Sequence, residues 1–211
     1  MAKGNELVVS AIQVTAVDGE IEATHEKVSR LLDRAGERGS DLVVLPEVWT
    51  GLAYSESELY RETAETIPGP STDLLAAKAE EYGMYVVGSI YERSNDAFYN
   101  SSPLIDPQGS IVGKYLKTHL FDAPDRVDIK GGIRESDKVK AGSELPVFDT
   151  SIGKIGVSVC SDLRFPEVYR VLRLKGAQII VCASAFLSPR FDHWEFFLRA
   201  RAAENQAFVV A

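Results

Sequence analysis

An α/β fold is predicted by three features of this sequence. Short β-type apolar runs alternate with helical-period segments at 154–159, 166–175, 177–183, 192–205 and 207–210. That is the pattern of largely parallel strands joined by crossover helices. A hairpin is written around the turn sequence Asp106-Pro107-Gln108-Gly109. With 211 residues and 45% hydrophobic content, the chain can bury one sizeable core, and one domain spanning 1–211 is expected.

The elements follow in order. Residues 7–12 read as a buried strand. Val28, Leu31, Leu32 and Ala35 then share one helical face, with Gly39 as the stop. Residues 42–45 form a second strand, closed by Pro46. Ser71 is placed to cap a helix carrying Leu74, Leu75 and Lys78 that stops near Gly83. Residues 84–91 read as one strand, and 97–105 and 110–117 as the arms of the hairpin. Residues 121–142, rich in Asp, Gly and Lys, read as a long loop, and such loops in compact domains are usually functional or disordered. Pro166 and Glu167 mark the first turn of a helix, because Pro fits position N1 and an acid suits the positive end of the dipole. Asp192 with Glu195 gives a capping-box-like start to 192–205.

Composition excludes several classes. The net charge is −8 and the pI about 5.0, with no basic run of five or more residues, so nucleic acid and anionic membrane are not expected partners. The sequence carries no signal-peptide h-region and no apolar run of membrane-spanning length, which makes cytoplasm the default. Two cysteines are too few for a disulfide framework. Cys182 lies in the buried-strand pattern Ile179-Ile180-Val181-Cys182-Ala183 and reads as inert core. His25, His119 and His193 show no metal-ligand spacing, and no metal or cofactor is expected.

The candidate chemistry starts at Cys160. The apolar run 155–159 leads straight into this thiol, and a helix start follows. The end of a strand is where open α/β sheets place reactive groups. Helix-start N–H groups and a nearby cation would favour the thiolate; the competing reading is an inert buried cysteine. Glu47 follows Leu45-Pro46 among Val48 and Trp49, company that desolvates a carboxylate and suits it to act as a base. Alternation from Ile111 sets Tyr115 and Lys117 on one face and Lys114 on the other. An inward Lys117 requires a carboxylate partner, which Glu47 can supply.

Glu47, Lys117 and Cys160, in that order and in those contexts, resemble the nitrilase superfamily of carbon–nitrogen hydrolases. The matching segments are Leu-Pro-Glu at 45–47, Lys-Tyr-Leu-Lys-Thr-His-Leu-Phe-Asp at 114–122 and Cys-Ser-Asp-Leu-Arg-Phe-Pro-Glu at 160–167, with His193-Trp194-Glu195 and 199–206 also similar. The Cys160 segment looks most like the Nit branch of ω-amidases and deaminated-glutathione amidases, whose members usually carry Tyr where this chain has Ser161. The resemblance implies a four-layer αββα sandwich. It also implies that the chain, which stops at Ala211 inside an apolar strand pattern, is C-terminally truncated.

The resemblance implies roles as well. Cys160 attacks a carboxamide carbon and forms a thioester. Glu47 carries the proton. Lys117 and the backbone N–H of Ser161 hold the oxyanion. Glu135 aligns with a second glutamate beside the lysine; a solvated loop charge is its other reading. Arg164 is read as the clamp for a substrate carboxylate, against a salt bridge to Asp162 or Glu167. Tyr54, Ala185 and Phe186 are expected to line the pocket. Trp194 and Phe197 read as core or subunit interface, and a homodimer or larger homo-oligomer is expected. The leading function is release of ammonia from a small ω-amide of a carboxylic acid. N-carbamoyl, aliphatic-amide or nitrile hydrolysis, a catalytically silent scaffold and a redox thiol are the alternatives. Ser161-Asp162 argues against a nitrilase, and the lack of a Cys-x-x-Cys pair against the redox thiol.

Overall fold

The computed structural model describes residues 6–17, 20–51, 58–125, 133–186 and 190–211. A first sheet contains β1 (Val9–Ala11), β2 (Leu42–Val44), β3 (Tyr85–Val87), β4 (Ile90–Ser94), β5 (Ala97–Ile105) and β6 (Ile111–Leu116). β1, β2 and β3 are parallel neighbours. β5 runs antiparallel to β3 and β4 along one edge and to β6 along the other. β7 (Asp122–Ala123) and β8 (Ile133–Arg134) form a small separate ladder. A second sheet has the order β12-β11-β10-β9, from β9 (Val147–Thr150), β10 (Gly153–Val159), β11 (Ile179–Ala183) and β12 (Phe208–Val210). Its strands are parallel except for β9. The helices are α1 (Ile21–Glu37), α2 (Leu59–Glu62), α3 (Pro70–Tyr82), α4 (Pro166–Leu174) and α5 (Phe191–Asn205).

Strand alternation sorts the side chains into layers. Leu42, Val44, Tyr85, Val87, Leu104 and Tyr115 of the first sheet meet Ile155, Val157, Val159, Ile179 and Val181 of the second. The opposite faces carry the intervening residues. Val43 and Val86 pack against Val28, Leu32, Leu75 and Ala79 of α1 and α3. Ile180 and Cys182 pack against Val168, Tyr169 and Leu172 of α4 and against Trp194, Phe197 and Leu198 of α5. The layers therefore run helix, sheet, sheet, helix.

Several local expectations are corrected. The strand expected at 7–12 is short and lies at a sheet edge, so Leu7, Val8 and Val9 are exposed rather than buried. Ser71 is not a cap: Gly69 holds that position, Pro70 opens the helix, and Ser71 donates its N–H and hydroxyl to the Glu65 carboxylate. α5 begins at Phe191 after Arg190, with no side-chain cap, so Asp192 lies inside the first turn. β9 fills a stretch to which the sequence analysis gave no element. Within 121–142 lie β7, β8 and a 3₁₀ turn, Glu135–Asp137.

The strand expected at 84–91 is broken, and the break has a use. Ser89, at the gap between β3 and β4, accepts Val48 N–H on its Oγ at 2.7 Å and Trp49 N–H on its carbonyl at 3.1 Å. The gap thus holds the turn that carries Glu47. Val48 in that turn has φ 40°, an unfavourable value for a β-branched residue. Gly88 lets the gap close on the turn, because a Cβ there would stand 2.5 Å from Leu45 Cβ. Gly88→Ala is expected to destabilise the protein by about 1–3 kcal/mol, as overpacked cores do. Urea unfolding checks this, and an unchanged midpoint would contradict the packing argument.

Candidate active site

Four of the predicted residues converge at the C-terminal ends of strands. Glu47 lies in the turn after β2, Lys117 directly after β6 and Cys160 directly after β10, while the 3₁₀ turn Glu135–Asp137 brings in Glu135. Lys117 is 2% exposed and Glu47 5%, so neither charge is tolerable alone. Lys117 Nζ donates to Glu47 Oε1 and to Glu135 Oε2, each at 2.7 Å. Glu135 Oε2 also accepts the Phe121 N–H at 2.7 Å, and Glu47 Oε2 the Ala185 N–H at 3.2 Å.

Burial is the largest influence on Lys117 and opposes its charge. Glu47, Glu135 and Cys160 together outweigh it and hold the ammonium well above its ordinary range. The set of one cation and two carboxylates is net negative, which bears on Cys160. Burial pushes that thiol well above its usual range, the Glu47 carboxylate pushes it further, and Lys117 only partly compensates. The balance runs against the thiolate that the helix start suggests and favours the neutral thiol, beside a carboxylate placed to take its proton. Cys182 behaves as expected of core; burial pushes it up to about 11.

Cys160 itself has φ 44°, a left-handed turn between β10 and a 3₁₀ segment, Cys160–Arg164. Asp162 fixes this elbow. Fully buried, it accepts Val159 N–H at 2.8 Å and Tyr115 Oη–H at 2.7 Å. It also accepts His119 N–H at 3.0 Å and lies 2.9 Å from His119 Nδ1. Ser161 Oγ donates to the His119 carbonyl. The segment just after Lys117 is thereby fastened to the segment carrying Cys160. His119 is structural, with its ring stacked on Phe165 at 3.8 Å.

The substrate-side expectations fare unevenly. Ala185 meets the cluster through its backbone. The Arg164 guanidinium lies over the rings of Phe186 at 4.9 Å and Phe197 at 5.8 Å, with His193 Nδ1 3.5 Å from Nη1. Tyr54 falls outside the described residues. A cavity of about 690 Å³, lined in part by Gln13, Trp49, Ala185, Phe186 and Trp194, touches the cluster at Glu47 but not at Cys160 or Lys117. Sequence reasoning missed Asn100, which donates through Nδ2 to Glu47 Oε1 at 3.0 Å and Glu135 Oε1 at 3.1 Å. Its signal was an Asn in mid-strand, where Asn is depleted.

Residues 8–211 match the family model described as carbon-nitrogen hydrolase. The chain is 39% identical over 187 residues to omega-amidase NIT2-B of Xenopus laevis, covering 87% of this chain and 66% of that protein. It is 33% identical over 207 residues to omega-amidase NIT2 of Bos taurus, covering 96% and 72%. The crystal structure of Saccharomyces cerevisiae Nit3, of branch 10 of the nitrilase superfamily, superimposes with a TM-score of 0.83 at 28% identity, covering 96% of this chain and 73% of that one. The chain thus spans about two thirds of the length of these relatives.

The electrostatics of the cluster give a direct expectation. Glu47→Gln removes a negative charge that raises the Cys160 thiol, so thiolate should appear at lower pH than in the native protein. Absorbance near 240 nm during a pH titration reads this out. A thiolate that appears at the same pH, or later, would sink the assignment.

Proposed function

Because the chain belongs to the carbon–nitrogen hydrolase family, in the Nit and omega-amidase branch of the nitrilase superfamily, we propose that it hydrolyses a small carboxamide, the ω-amide of a carboxylic acid, to the acid and ammonia. The observation that carries this reading is the buried Lys117, held between Glu47 and Glu135 beside the Cys160 thiol. Cys160 Sγ attacks the amide carbon as its proton passes to Glu47. The oxyanion is held by Lys117 and the Ser161 N–H. The C–N bond breaks as Glu47 returns the proton to the nitrogen, releasing ammonia and leaving a thioester. Glu47 next takes a proton from water, the hydroxyl adds to the thioester, and the departing sulfur regains its proton.

Arg164 is the candidate clamp for the distal carboxylate. A guanidinium resting on aromatic faces at 4.9 and 5.8 Å is held in a defined orientation by them. N-carbamoyl and aliphatic amides are the other substrates this machinery suits. Homo-oligomerisation is part of the proposal, supported by exposed Leu174, Phe191, Phe196 and Phe208 on α4, α5 and β12. So is a cytoplasmic setting, in keeping with two free cysteines. No described helix is long and apolar enough to cross a membrane.

Ammonia release from succinamate, α-ketoglutaramate, aliphatic amides and a carbamoyl amino acid tests the proposal. Carboxylate-bearing amides should turn over, and Cys160→Ala should abolish this. Lys117→Met should lower kcat by about 10²–10³-fold, the loss typical of an oxyanion donor. Arg164→Leu should raise KM for carboxylate-bearing amides by about tenfold or more and spare neutral ones. Turnover that survives in Cys160→Ala would refute the reading.

A further inference from the structure

Each amide hydrogen of Asn100 is committed to a carboxylate, one to Glu47 Oε1 and one to Glu135 Oε1. The opposite amide orientation would aim Oδ1 at two acceptors, so the chemistry fixes the assignment. Lys117 supplies a second donor to Glu47 Oε1, and with Phe121 N–H it fills Glu135 Oε2. Glu47 Oε1 and Glu135 Oε2 therefore each face two donors. A carboxyl proton on either would point at another hydrogen. The other two oxygens accept one of these bonds each, Glu135 Oε1 from Asn100 and Glu47 Oε2 from the Ala185 N–H at 3.2 Å. Of the two carboxylates, Glu47 is the one whose charge acts on the Cys160 thiol. Asn100 is 1% exposed, and its Oδ1 has no partner among the described residues. An unpaired buried acceptor is a cost, and the gain it accompanies is the placement of both N–H groups.

We infer that Asn100 is a positioning residue that, with Lys117, occupies Oε1 of Glu47 and so leaves Oε2 as the oxygen that carries the mobile proton. The inference rests on the amidase reading and deepens it. One neutral amide on β5 ties both carboxylates to the same strand and fixes the rotation of each. The charged and titratable groups around Glu47 are Lys117 after β6, Glu135 on its 3₁₀ turn, Cys160 after β10 and Cys182 on β11. Of these groups only the thiol of Cys160 exchanges a proton with Glu47, whose other proton partners are the leaving nitrogen and water.

The test compares Asn100→Leu and Asn100→Asp with native enzyme. kcat/KM for succinamate and the rate of Cys160 alkylation by iodoacetamide are both followed against pH. Asn100→Leu withdraws a donor from each carboxylate, which favours their protonated forms. The acidic limb of kcat/KM should move up by about one pH unit. Asn100→Asp keeps the side-chain shape, and with it the packing, but adds an anion, so its limb should move further up. The alkylation profile should shift in the same direction. A uniform loss of activity in folded variants, with both profiles unmoved, would reduce Asn100 to a packing role and overturn the inference. Native-level turnover at every pH would overturn it too. Alkylation needs no turnover, so failure of the amidase reading, seen as turnover in Cys160→Ala, remains separable from failure of this one.

Discussion

The ammonium of Lys117, almost withdrawn from water, is the charge around which the rest of the site is organised. Removing a cation from solvent costs several kcal/mol unless partners replace its hydration. Here two carboxylates arrive from different parts of the chain to do so. Each must itself be desolvated, and each recruits further donors: Asn100 for both, Phe121 N–H for one and Ala185 N–H for the other. Burial, and after it the Glu47 carboxylate, hold the neighbouring thiol well above its usual range. In the proposed mechanism, nucleophile activation is coupled to chemistry rather than stored in a resting thiolate.

Such a cluster works only if its members stay within hydrogen-bond reach, and three come from segments that have just left a strand. The fold holds these segments with buried polar side chains. Ser89, set in the gap between β3 and β4, grips the Glu47 turn. Asp162 grips both the Cys160 elbow and the residues after Lys117. Each device lies beside a left-handed residue, Val48 or Cys160. The backbone at each reactive position is therefore bent into a conformation it would not keep without those bonds.

Much of this was legible in the sequence. The apolar runs of 42–45 and 177–183 read as strands, and these hold the middle of the sandwich. Glu47, Lys117, Cys160 and Glu135 were each singled out. What escaped was decided by tertiary contact. The apolar run at 84–91 carries no mark that Ser89 would be claimed by another segment. A stretch of hydrophobic residues such as 7–12 reads alike at a sheet's centre and at its edge. The state of Cys160 depends on the balance of burial, one anion and one cation, a sum that local helix-start logic cannot anticipate. Asn100 looked like a poor strand residue, and it is one, tolerated because its amide is needed where two carboxylates meet.

The two sheet margins carry a consequence of their own. Among the described residues β1 has one ladder neighbour, β2, and β12 one, β11. Both margins reach the walls of the cavity that opens at Glu47, through Ala11 on one side and Ala211 on the other. A strand bonded on one side opens with less free energy than one bonded on both. Amide exchange should therefore be faster along these two margins than across β2, β3, β10 and β11. The cavity that opens at Glu47 is thus bounded on two sides by strands bonded along a single edge.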